Sequence, residues 1–296
     1  MSQSARVTVI AAGYAELEER AAAWASAEPA VRAAIVLGSR ARDDHPADEW
    51  ADLDMVVLVD EVGELTTDRR WLDSIGEPLI SFVEDAAGTE QPELRVLFAG
   101  GFDVDFAFMS RTAIERMIEH DPRAVAIAFG RGNRVLVDKD RVAASVIAAG
   151  EGADADARTP RPDEHAFGEV CADFWYHTVW TAKHLRRGEL WWAKSCCDGY
   201  LKHLLRIMLE WEAAAEERDP WFRGRFFEEW ADPDTVAGLR SAFARYDAPE
   251  VWTALARTMD LFAGAGRRTA TVLDREYPAD NERHARALVQ ELRPPG

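Results

Sequence analysis

Short blocks of alternating or uninterrupted apolar residues mark the first half of the chain, and apolar positions recur at helical spacing through the second half. Residues 13–27 (GYAELEERAAAWASA) are rich in Ala, Glu and Leu and predict an opening amphipathic helix. A β-rich apolar run follows at 31–37, then Gly38-Ser39-Arg40, about a dozen polar residues, and a second apolar run at 55–59 introduced by Asp52-Leu53-Asp54. This reads as strand, tight turn with a short helix, loop and second strand. The pattern next predicts a short helix over 67–75 with Asp68 near its start, strands at 79–83, 93–98 and 104–109, a helix over 110–120 and a last short strand at 135–137.

Residues 150–163 (GEGADADARTPRPD) have no apolar period and contain two prolines, which is the composition of a linker. Beyond them the spacing predicts helices over 164–187, 190–216, 221–230, 234–246 and 249–275. Eight of the eleven tryptophans lie in this region, among them Trp175, Trp180, Trp191 and Trp192. The predicted fold class is α+β: a mixed sheet flanked by helices over 1–149, a linker, and an all-α helical bundle over 164–296 beside it. Any single tryptophan is expected in the core, while the aromatic bundle as a whole could wall a cleft for a polyhydroxylated or cationic ligand.

Charge narrows the partners. The 296-residue chain has 53 acidic and 35 basic residues, a net charge of −18, with 48% hydrophobic and 30% charged residues. Such a field repels nucleic acid and anionic membrane and suits a small cationic substrate. The first dozen residues lack the basic start of a secretion signal and no apolar run is long enough to span a bilayer, so a cytoplasmic protein is expected. Cys171, Cys196 and Cys197 have no metal-ligand spacing and are expected as reduced core thiols.

Chemistry concentrates between 31 and 60. Gly38 lets backbone approach a phosphate, while the Ser39 hydroxyl, nearby amides and the Arg40 fork offer donors to a triphosphate. Strand geometry sends Asp52 and Asp54 to one face, roughly 7 Å apart, close enough to share divalent cations. Asp-x-Asp occurs five times in this acidic chain, so the pair carries meaning only through the Gly-Ser turn before it and the apolar strand after it. A third carboxylate is expected from the strand at 104–109. Asp105 sits among apolar neighbours, where a bound cation would offset the cost of burying charge; Asp103 is the alternative. These features point to metal-dependent nucleotidyl transfer.

A general base for an attacking hydroxyl is expected from the helical region, where Glu169, Asp173 and Asp198 qualify. Asp198 is preferred because Lys194 and Lys202 flank it at i−4 and i+4 and could reach phosphate oxygens, and because Trp191, Trp192, Cys196, Cys197 and Tyr200 enclose it. Glu169 and Asp173 are then expected to anchor cationic groups of the substrate. No histidine is assigned a ligand role.

With both halves read, the sequence resembles the streptomycin adenylyltransferase family, the aminoglycoside 6-adenylyltransferases, over nearly its full length. The resemblance is carried by AIVLGSR (34–40), DLDMVVLV (52–59), VDFAFM (104–109), DFWYHTVWTAKHLRRGEL (173–190), AKSCCDGYLKHLLRIMLEW (193–211) and VWTALARTMDLF (251–262). It implies transfer of AMP from Mg·ATP, with two Mg²⁺ ions, to a hydroxyl of an aminoglycoside such as streptomycin. It places Ser39 and Arg40 on the triphosphate turn, Asp52 and Asp54 on the metal pair and Asp105 on the third acidic position. Asp173 stands where the family carries a glutamate, and 219–230 (DPWFRGRFFEEW) departs from the family's Lys- and Tyr-rich stretch. Nucleotide transfer to a protein or to another small aminated substrate, and a non-catalytic nucleotide-binding module, are the alternatives.

Overall fold

The computed structural model describes residues 3–85, 91–151 and 161–294. Contacts divide the chain into two compact units, residues 1–158 and 159–296. The boundary falls in the segment read as a linker, of which 152–160 lie outside the described residues.

In the first unit, α1 (Gln3–Ala27) leads into β1 (Val31–Leu37) and, after a one-turn 3₁₀ helix at Gly38–Arg40, β2 (Leu53–Val59). Then come α2 (Glu64–Thr67), β3 (Pro78–Asp85), β4 (Pro92–Phe98), β5 (Phe102–Ser110), α3 (Arg111–His120), α4 (Pro122–Phe129), β6 (Asn133–Asp138) and α5 (Val142–Glu151). The six strands form one sheet in the order β3-β4-β5-β2-β1-β6. All neighbours are antiparallel except β2 and β5, which run parallel.

Both faces of the central strands are covered, which explains their near-continuous apolar runs. Leu53, Met55 and Val57 of β2 join Val104, Phe106 and Phe108 of β5 in one core with Trp24 of α1. There Trp24 stacks on Trp71 at 4.1 Å. Val56 and Leu58 face the opposite way and pack with Ile114, Val125 and Val146 of α3, α4 and α5. The carboxylate of Asp54 lies on this second face, at its half-exposed end.

The second unit contains α6 (Glu164–Arg186), α7 (Leu190–Ser195), α8 (Leu201–Ala215), α9 (Phe227–Trp230), α10 (Pro233–Leu239), α11 (Ala248–Val272) and α12 (Ala279–Leu292). Asp163 caps α6 by accepting from the Ala166 amide at 2.7 Å. The core is built on α6, α8 and α11, where the fully buried rings of Phe174 and Phe262 stack at 3.6 Å and Trp175 meets both edge-on. Glu212 is buried and held by Arg268 at 2.5 Å.

Several predicted elements differ. The helix over 67–75 is replaced by α2 and a 3₁₀ turn at Arg70–Ser74, and Asp68 caps the end of α2, where it takes the backbone N–H of Arg70. The helix over 190–216 is broken by a π-helical turn at Cys196–Tyr200. The helix over 221–230 shrinks to α9, because Arg223 and Phe226 adopt left-handed backbone at φ 55° and 52°. The helices α4, α5 and α12 were not predicted. Among the described residues no helix is long and apolar enough to cross a membrane.

Replacing Phe174 with Ala removes one ring of the central stack and leaves a cavity that the surrounding helices fill only partly. We expect a loss of ~3–5 kcal/mol in the stability of the second unit, read as a lower unfolding midpoint in urea; a loss below ~1 kcal/mol would show that this stack does not organise the bundle.

Candidate active site

Site geometry begins where β1 ends. Leu37 pairs with Asp54 across the sheet, and the next residue, Gly38, turns the chain with φ +69°. A Cβ at Gly38 would stand 2.5 Å from Oδ2 of Asp54, so only glycine lets that carboxylate lie against the turn. Ser39 follows, and its carbonyl accepts from the Ala47 amide at 2.9 Å, which folds the polar loop back on the turn.

Arg40 works mainly on the backbone. Its Nε donates to the Asp52 carbonyl at 2.9 Å and its Nη2 to the Ala51 carbonyl at 2.6 Å. Its guanidinium lies 3.6 Å above the ring of Tyr14. The fork expected to grip phosphate thus fixes the segment that aims Asp52. Tyr14 extends the support by accepting from the Asp103 amide at 3.3 Å. Asp103 is exposed and takes this structural role, so of the two acids weighed for the third position it is Asp105 that joins the cluster.

Parallel pairing of β2 with β5 sets Asp54 directly beside Asp105. Carboxylate oxygens of Asp52, Asp54 and Asp105 all lie within 4.8 Å of one another. Asp105 is buried, at 6% exposure, and its pKa is pushed up to about 7. Burial is the largest cause; Arg95 opposes it, and Glu93, Asp54 and Asp52 add to it by like-charge repulsion. Three crowded oxygen ligands, one of them enclosed, fit a hard divalent cation.

Arg95 was not singled out in the sequence. It stands on β4 directly opposite Asp105, with Nη1 2.5 Å from Oδ2 of that residue. The only trace in the sequence is the alternation of Glu-Leu-Arg-Val-Leu-Phe, which puts Arg95 on the polar face.

The candidates of the second unit form two groups. Asp198 lies in the π-helical turn, ion-paired to Lys194 and 3.8 Å from Nζ of Lys202. Lys194 also donates to the Ala244 carbonyl at 2.6 Å, and Lys202 to Thr258 Oγ1 at 2.7 Å and the Cys197 carbonyl at 3.0 Å. Both ammonium groups are thereby committed to internal acceptors, and burial lowers the pKa of Lys202. Oδ1 of Asp198 is closed off from solvent without a hydrogen bond. The expected aromatic enclosure is absent: Trp191 and Trp192 are 72% and 56% exposed, and Tyr200 is exposed as well. Enclosure comes instead from the lysines and the chain near Ala244 and Thr258.

Asp173 and Glu169 occupy successive turns of α6 and border an open groove of about 400 Å³ with Tyr176. The Tyr200 hydroxyl donates to Asp173 Oδ2 at 2.7 Å, and His177 Nδ1 lies 2.6 Å from its Oδ1. The bond to Asp173 pushes the Tyr200 phenol up to about 12.

The Gly38 turn generates a direct test. In Gly38→Ala the new methyl must displace the Asp54 carboxylate, so Mn²⁺ binding by calorimetry should weaken by ~10-fold or more while far-UV circular dichroism stays the same. Unchanged affinity would mean that the turn does not shape the cluster.

Known proteins resemble this chain over most of its length. The family described as "Streptomycin adenylyltransferase" matches residues 14–292. The aminoglycoside 6-adenylyltransferase of Campylobacter jejuni is 22% identical over 275 residues, covering 90% of this chain and 92% of its own length. That of Bacillus subtilis (strain 168) is 22% identical over 261 residues, covering 85% and 88%. A crystal structure of an aminoglycoside 6-adenyltransferase from Bacillus subtilis aligns over 93% of this chain and 98% of that one, at 17% identity and a TM-score of 0.45. The family match spans nearly the whole sequence, including the turn, the three aspartates and the helical unit, and the chain belongs to the streptomycin adenylyltransferase family.

Proposed function

We propose that the protein transfers AMP from Mg·ATP to a hydroxyl of an aminoglycoside and releases pyrophosphate. The observation that carries this reading is the convergence of Asp52, Asp54 and Asp105 beside a Gly-Ser turn. Magnesium, as two ions held by these carboxylates, would neutralise the triphosphate and activate the α-phosphorus toward an alcohol.

The chain's own groups divide the remaining work. Gly38 opens the turn to a phosphate, and Ser39 with the adjoining amides donates to its oxygens. Arg40 is a positioning residue, since its bonds to the 51 and 52 carbonyls orient Asp52. Glu169 and Asp173 supply negative charge along the groove on α6, where exposed Tyr176 offers a ring face to ammonium or guanidinium groups. Asp198, expected as the base, and Lys194 and Lys202, expected on phosphate, are read here as an ion-paired ladder, a reading supported by the Lys194–Asp198 pair and by the bonds of both lysines to internal acceptors.

Incubation with Mg²⁺, each of the four nucleoside triphosphates and a panel of aminoglycosides, followed by mass spectrometry, tests the reaction. A nucleotidyl adduct with pyrophosphate is expected and should vanish with EDTA. Asp54→Asn should reduce turnover by ~10²-fold or more with the fold intact. Normal turnover in that variant, or in EDTA, would remove the metal-dependent reading.

The acceptor groove has its own test. Asp173→Asn should raise KM for the aminoglycoside ~10-fold with ATP binding unchanged, and acceptor affinity should weaken as salt rises, because half-exposed charge pairs are screened over roughly 8 Å at physiological ionic strength. Asp198→Asn should instead lower the melting temperature and leave that KM alone. If Asp198→Asn selectively abolishes turnover, the base returns to Asp198.

A further inference from the structure

A single row of side chains crosses four strands on the face that carries the site. Register pairs Phe82 of β3 with Arg95 of β4, Arg95 with Asp105 of β5, and Asp105 with Asp54 of β2. Arg95 is the cationic member of this row, and its guanidinium touches three acids. Nη1 lies 2.5 Å from Asp105, Nη2 lies 3.5 Å from Glu93, and Nε is ion-paired to Glu84. Their surroundings differ: the Asp105 side chain is 8% exposed, whereas that of Glu84 is 44% exposed.

That difference matters for charge balance. Carboxylates of Asp52, Asp54 and Asp105 within 4.8 Å of one another, with one of them buried, repel each other, and a cation close by offsets that repulsion. Before any metal arrives, Arg95 is the cation in contact with Asp105. A divalent cation bound to the same carboxylate brings two positive charges next to the guanidinium, which raises the energy of the Arg95–Asp105 contact. Glu84 on β3 and Glu93 on β4 also contact Arg95 and can retain it. An arginine is suited to this because its planar fork reaches several carboxylates at once and stays charged throughout.

We propose that Arg95 is the resident counter-cation of the carboxylate cluster, and that its hold on Asp105 is exchanged for an incoming divalent cation while Glu84 and Glu93 keep its guanidinium in place. The inference rests on the cation-binding reading of Asp52, Asp54 and Asp105. Arg95 is a positioning residue in this scheme: it keeps the third carboxylate aimed in the metal-free protein and competes with the metal for it. Metal affinity is then set by a residue that is not itself a ligand.

The test uses the full chain, wild type, Arg95→Met and Arg95→Lys, with Mn²⁺ alone as the probe. Its dissociation constant is measured by electron paramagnetic resonance at pH 8.5, where protons compete little for carboxylates. Melting temperatures are taken in chelator and in saturating Mn²⁺. Arg95→Met should bind Mn²⁺ ~10-fold more tightly than wild type, since a competing charge is gone. Its melting temperature should fall in chelator, and that deficit should shrink in Mn²⁺ because ligand binding stabilises the tighter binder more. Arg95→Lys should lie between, and it carries the comparison if the Met variant does not fold. Equal or weaker Mn²⁺ binding in the variants, or a deficit that Mn²⁺ leaves unchanged, would overturn the exchange and leave Arg95 an ordinary structural partner. If wild type takes up no Mn²⁺, or if Asp54→Asn takes up as much as wild type, the cation reading fails and the inference falls with it.

Discussion

Like charges held together against their repulsion organise the first unit. Asp54 and Asp105 are neighbours because β2 and β5 run parallel in register, and Asp52 joins them because Arg40 pins the backbone just before β2. Each supporting contact answers that crowding. Gly38 yields space to Asp54, Tyr14 supports both Arg40 and the start of β5, and Arg95 supplies charge from the next strand. Burial of Asp105 raises the stakes, since a carboxylate removed from water depends on what its neighbours provide.

The second unit settles its own charges inside the bundle. Lys194, Asp198 and Lys202 are tied to one another and to the Ala244 and Thr258 region, while Glu212 and Glu282 are buried against arginines of α11 and α12. Such pairs fix how helices pack more than they stabilise, because desolvation offsets much of the attraction. The acids at the surface of α6, Glu169 and the half-exposed Asp173 with Tyr176 beside them, border an open groove, with Asp173 also held by Tyr200 and His177. Spacing at i, i+4 is the same for an ion-pair ladder as for a catalytic group flanked by lysines, which is why the sequence placed Asp198 among the reactive residues.

Legibility followed the range of the interaction. The strands around Gly38, Asp52 and Asp54 were readable because a two-residue period, a glycine turn and flanking apolar runs are local signals, and Asp105 was preferred for its apolar neighbours with Asp103 left as the alternative, which burial separates: Asp105 is buried and Asp103 exposed. Arg95 acquires meaning only from cross-strand register, which period alone does not give. The helix α4 carried a start signal, Asp121 followed by Pro122, that went unread in so short a segment. The opposite error came at 221–230, where aromatic richness imitates a helix face but two left-handed residues break it. Helices α7 and α8 were read as one because a π-helical turn has no composition of its own.

The parallel contact of β2 with β5 has a bearing on how the chain acquires its activity. Antiparallel neighbours such as β3 and β4 can close through a hairpin, whereas β2 must wait for roughly fifty further residues before its partner exists. Pairings between distant segments form slowly, because the entropy of closing the intervening loop is lost before the contact rewards it. The carboxylate cluster therefore cannot assemble until β5 has been made, and a chain arrested before β5 holds two aspartates on an unfinished sheet edge with no third acid to complete them.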